Sequence, residues 1–76
     1  MKYAYVVYEK TYIERLGELI EDEINLWESD NVDDLVQLLR SKDIKMARST
    51  IFKAIKDKKP VYDKYFVYKI KKSWYN

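Results

Sequence analysis

Arg48, Ser49, Thr50 and Lys53 fall close together in the chain, and Lys42, Lys45, Lys56, Lys58 and Lys59 flank them on both sides. Side chains of these types can read and grip duplex DNA. An arginine at a base edge makes a two-pronged contact to guanine. Serine and threonine hydroxyls fix register by bonding phosphate or base edges. Lysines neutralise phosphates and release condensed counterions. The reading therefore places Arg48, Ser49, Thr50 and Lys53 at a groove, with Lys42, Lys45, Lys56, Lys58 and Lys59 on the backbone. A plainer role competes for each of them: the Ser49 or Thr50 hydroxyl would cap a helix N-terminus, and the lysines would only be solvated.

Such chemistry needs a helix with an apolar back and a cationic front. Ile51 and Ile55 stand four apart and share one helix face, and Phe52 is expected to widen it. Thr50, Lys53, Lys56 and Asp57 fall largely off that face. The helix is expected over about 49–58, stopping before Pro60, which disfavours helix at the residue ahead of it.

Other chemistries find little support. The chain has no histidine and no cysteine, so the commonest general base and the thiolate metal ligands are missing. Glu21-Asp22-Glu23 and the trio Asp30, Asp33 and Asp34 are its carboxylate clusters. Successive helical positions diverge, so three in a row are not expected to converge on a metal ion, and the two clusters read as a solvated face and a helix N-terminus. With no glycine-rich loop either, the reading is a non-enzyme without cofactor or metal. A second binding mode comes from the acidic stretch. If 12–28 is a helix, Glu14, Glu18, Glu21, Asp22, Glu23 and Glu28 present a row of negative charge that could dock on a basic groove of a host protein, as an inhibitor or adaptor. Trp27, Trp74 and Tyr75 would anchor that contact, since aromatics are enriched at interface hot spots, or would belong to the core.

Seventy-six residues make one small domain with a thin core. The formal net charge is only +2, but its distribution is lopsided. Residues 1–39 hold three basic side chains against ten acidic, a net of −7, and residues 40–76 hold twelve against three, a net of +9. A sign asymmetry of this kind points to a nucleic acid or another charged partner. The apolar run Tyr3 to Tyr8 is too short for a membrane span or a secretory signal, and a cytoplasmic location is expected.

In chain order, Tyr3-Ala4-Tyr5-Val6-Val7-Tyr8 reads as a strand, being β-branched and aromatic. Thr11 to Glu14 has the spacing of a capping box. After it Ile13, Leu16, Ile20, Ile24 and Trp27 recur at steps of three and four, which predicts an amphipathic helix. Gly17 counts against that helix, and a loop followed by a short strand at Ile24 to Trp27 is the competing reading. Ser29-Asp30-Asn31 supplies N-caps for a helix over about 32–41, with Asp33 and Asp34 in its first turn and a stripe of Leu35, Leu38 and Leu39. Val61 to Lys64 reads as a turn, Tyr65 to Ile70 as a second strand pairing with the first, and residues 71–76 as a tail.

Two segments carry a resemblance. Lys45-Met46-Ala47-Arg48-Ser49-Thr50-Ile51 resembles the Gly-Val-Ser-Arg-Ser-Thr-Ile type of segment that joins the helices of many bacterial and phage helix-turn-helix domains. Asp34-Leu35-Val36-Gln37-Leu38-Leu39 is similar to the Glu-Leu-Ala-x-x-Leu segment that precedes it. Lys64-Tyr65-Phe66-Val67-Tyr68 looks like the strand closing the small helix-turn-helix modules appended to homing endonucleases and found in short phage proteins. Together these cover about half of the chain. Lys45 replaces the usual turn glycine, and Arg40 to Ile44 add residues between the helices. The resemblance implies a phage or mobile-element regulator that binds duplex DNA, with a homodimer extending the contact. The expected fold is α+β: three helices with a helix-turn-helix-like pair beside a two-stranded β-ribbon of the N- and C-terminal strands.

Overall fold

The computed structural model describes residues 3–71. Their order is β1 (Tyr3–Arg15), β2 (Glu18–Ser29), α1 (Val32–Ser41), α2 (Arg48–Asp57) and β3 (Tyr65–Lys71). The strands form one antiparallel sheet in the order β2-β1-β3. This overturns two expectations: among the described residues there are two helices instead of three, and the ribbon is a three-stranded sheet.

The error lies in 12–28, which forms most of a β-hairpin and not an acidic helix. Thr11 to Glu14, the expected capping box, lies inside β1. A step of four is even, so Ile20 and Ile24 share a strand face as readily as a helix face. Ile13 and Ile20, seven apart in sequence, are directly paired across the hairpin. The odd steps are absorbed elsewhere. Leu16 leaves the strand altogether, and a register shift between Val7 and Tyr8 skips Leu26, so Trp27 returns to the face of Ile24. Leu16 and Gly17 have φ of 53 and 80, two left-handed residues in the manner of a type I′ turn, whose twist suits a hairpin. The glycine that counted against the helix is the residue that turns the chain.

The expected pairing of first and last strands is present, from Tyr3 opposite Lys71 to Glu9 opposite Tyr65. Beyond Lys10, β1 has only β2 beside it, so residues 11–23 project as a two-stranded arm.

One face of the sheet carries the helices. Val7 and Val67 pack there with Val32, Leu35, Leu39, Met46, Ile51 and Ala54, flanked by Tyr5, Trp27, Ile44, Ile55 and Tyr65. Trp27, expected as an interface anchor or a core residue, is half-buried against this cluster, its ring 6.4 Å from that of Tyr65. Ala4 and Val6 are buried on the opposite face.

Helix α1 has the bounds expected of it. Asn31 caps it: its Oδ1 accepts from the Asp34 N–H at 2.8 Å, and its Nδ2 donates to the Asp34 carboxylate at 2.9 Å. Val32, Leu35 and Leu39 are buried while Leu38 is half-buried, so the stripe turns slightly from its expected axis. The helix stops where Asp43 takes φ 65 and the N–H groups of Lys42 and Ile44 both return to the Leu39 carbonyl, at 3.0 and 2.9 Å. No helix among the described residues is long and apolar enough to cross a membrane. Trp74 and Tyr75 lie outside the described residues, as does the rest of the tail beyond Lys71.

Candidate nucleic-acid interface

Helix α2 begins at Arg48, not at Ser49 or Thr50, and its N-cap is Ala47, with no side-chain hydrogen bond. The capping role weighed for the two hydroxyls is therefore not taken up. The helix ends at Lys58, whose φ of 55 turns the chain out while its N–H donates to the Ala54 carbonyl at 3.0 Å. Pro60 follows and blocks continuation.

Ile51 and Ala54 are buried and Ile55 is half-buried, so these side chains dock α2 on the core. At 100° per residue the opposite front consists of Ser49, Phe52, Lys53 and Lys56, all exposed. Phe52 does not widen the buried face as expected; it is 46% exposed at the edge of the cationic front, beside Lys56. Its place was available from helical periodicity, which sets it next to Ser49 and Lys56, three residues before it and four after.

Thr50 is half-buried and turns aside into a cleft of about 190 Å³ lined by Lys53, Ala54, Asp57, Lys59, Pro60 and Val61. Arg48 is held by Asp33 at the N-terminal end of α1, its Nε 3.3 Å from the carboxylate, with both side chains largely exposed. Lys42 and Lys45 lie on the connection between the helices and are exposed. The Tyr62 phenol donates to the Lys45 carbonyl and so ties that connection to the turn before β3. That turn is built on Tyr62 and Asp63, both at positive φ, and is closed by the Val61–Tyr65 bridge. Among the described residues, Lys42, Lys45, Lys53, Lys56, Lys58 and Lys59 take part in no ion pair. The expected cationic residues thus gather on α2 and its two flanks, with Thr50 set to the side and Arg48 partly occupied. Sequence reasoning missed Phe52, Asp33 and Tyr62; Asp33 and Arg48 are too far apart in sequence for local spacing to pair them.

The acidic candidates are divided between the two faces of the hairpin instead of sharing one helix face. Alternation along the strands puts Glu14 and Glu21 on the sheet face away from the helices, and Glu18 and Asp22 on the helix-bearing face. Glu21 is 3.2 Å from the Lys10 ammonium, which also meets Asp63 at 3.6 Å. A hydrogen bond with Tyr12, then Glu21 and the charge of Asp63, raises the Lys10 pKa above its usual value. Asp22 accepts from the Glu23 N–H at 2.8 Å. A protein-binding mode through an acidic helix is therefore withdrawn.

Tyr8, Tyr12 and Tyr68 share the face opposite the helices, whereas Tyr5 and Tyr65 pack on the core side. Tyr8 and Tyr68 meet edge to face at 5.4 Å, and Phe66 stacks on Tyr68 at 6.2 Å. The Tyr68 hydroxyl donates to Glu23 at 2.7 Å, and burial, followed by that carboxylate, pushes its pKa up to about 12. Glu21, Glu23 and Glu28 line the edge strand on this same face and would repel phosphates, so it is a poor platform for stacking bases.

No known protein family, curated protein or solved structure matches the chain.

Proposed function

We propose that this chain binds duplex DNA, with α2 as its contact helix. The observation that carries the reading is the division of α2: Ile51 and Ala54 are buried in the core, while Lys53 and Lys56 stand exposed with no acidic partner among the described residues. Lys42, Lys45, Lys58 and Lys59 extend that charge on either side of the helix. Ser49 and Lys53 face outward to meet base edges. Arg48 reaches the groove once its surface pair with Asp33 opens, and a pair this exposed contributes little to stability. Thr50 serves the edge of the contact, beside the cleft. The placement agrees with the resemblance of 45–51 to helix-turn-helix segments and supports a regulatory role, with no bond-making step assigned to any residue.

The experiment is an unbiased selection of duplex sequences, followed by titration of the selected site with the wild type, Lys53→Glu and Glu14→Lys. The reading expects a selected site, a loss of about tenfold or more for Lys53→Glu, and no loss for Glu14→Lys on the arm. No enrichment, or equal binding by Lys53→Glu, would remove the reading.

A further inference from the structure

The arm leaves an apolar strip without cover. On the helix-bearing face, Ile24, Ile20 and Ile13 carry the core surface of Val7 and Trp27 outward past the helices; Ile24 is 52% and Ile20 43% exposed. On the same face of β2, Asp22 stands between Ile20 and Ile24 and Glu18 lies beyond Ile20, with Arg15 across from Glu18. Exposed apolar surface set among charges is the make-up of a contact site. An arm of two strands alone is also marginal in water, so an occupant on this face would stabilise it.

We infer that the occupant is a second copy of this chain, which lays the front of its α2 across the strip. The complement is on the molecule itself. That front has one exposed aromatic, Phe52, at its edge beside Lys56, so an apolar group next to cations meets isoleucines next to anions. The charges match over a wider area too. Residues 10–24 hold two basic side chains against five acidic, a net of −3, and residues 40–59 hold eight against two, a net of +6. Within one chain the surfaces do not satisfy each other: among the described residues no ion pair joins 10–24 to 40–59. Two copies exchanging arms in this way close a symmetric pair, each contributing both halves of the contact. Pairing of arm edge with arm edge is disfavoured, because β2 is rich in like charge. If the proposed DNA contact is correct, the pair hides α2, and DNA and self-association exclude each other; this last step rests on that reading.

The test is a charge exchange followed by sedimentation velocity at low salt without DNA. One variant carries Glu18→Lys and Asp22→Lys, and the other carries Lys53→Glu and Lys56→Glu. The wild type is expected to associate, and each variant alone to do so at least about tenfold more weakly. An equimolar mixture of the two is expected to associate again, since each arm then finds an α2 of opposite sign. Circular dichroism confirms that both variants are folded, and the mixture serves as a control independent of any small loss of stability. A monomeric wild type, a reversed α2 that still self-associates, or a mixture that stays monomeric would overturn the inference. Duplex added to the wild type separates the two proposals. Dissociation of the pair on binding supports mutual exclusion, association without any DNA binding sinks the DNA reading alone, and a dimer that binds DNA intact overturns the contact proposed here.

Discussion

Replacing Gly17 by alanine distinguishes the hairpin from a helix by the sign of its effect. In a helix interior, glycine to alanine stabilises by about 1 kcal/mol. In this fold Gly17 sits at φ 80, and an added Cβ would meet no atom within 4 Å, so no clash contributes. What remains is the left-handed conformation, which disfavours an L-residue by about 1–2 kcal/mol. Reduced freedom of the unfolded chain returns roughly 0.4–1 kcal/mol. The net expectation is a loss of about 1 kcal/mol, or about 4–8 °C in Tm for a domain of this size. Urea and thermal unfolding measure it. Amide exchange adds a local readout, since the arm amides that bond across the hairpin should open more readily while those of α1 stay unchanged. An alanine variant more stable than the wild type would refute the hairpin.

Three further predictions follow from the packing. Leu39→Ala empties a fully buried site in the core, and a loss of about 2–5 kcal/mol should leave the domain largely unfolded by circular dichroism. Asn31→Ala removes the α1 cap and should lower stability by about 1 kcal/mol in urea titrations, with no change in DNA binding. Tyr68 keeps its proton to about pH 12 in the folded chain, whereas an unfolded tyrosine ionises near 10. Between those values the unfolded state binds fewer protons, so stability is fully present below about pH 10 and falls toward pH 12. Tyr68→Phe should flatten that fall in unfolding curves taken across the range.

The physics of the chain explains which elements could be read from it. Helix α1 was legible because cap, first-turn acids and apolar stripe all lie within its own residues. β3 was legible because its tyrosine-rich run has strong strand propensity and a turn before it. The arm was not. Ile20 and Ile24 sit four apart, a spacing that satisfies periods of both 2 and 3.6, and the choice is made by the Leu16-Gly17 turn and by pairing with β1, which is central to the sheet. For α2, the inward Ile51 and outward Lys53 were readable, whereas the position of Phe52 was misjudged because hydrophobicity was given more weight than helical angle. The Asp33–Arg48 pair depends on how α1 and α2 come together, which no local pattern specifies.

The claim that α2 and its flanks grip duplex DNA is tested most directly by the salt dependence of binding. Lys42, Lys45, Lys56, Lys58 and Lys59 are assigned to five phosphates, so the logarithm of the affinity should fall against the logarithm of salt concentration with a slope of about −4.5. Replacing Lys56 by glutamine should reduce that slope by about 0.9. A flat dependence, or no duplex binding at low salt by a folded chain, would contradict the account.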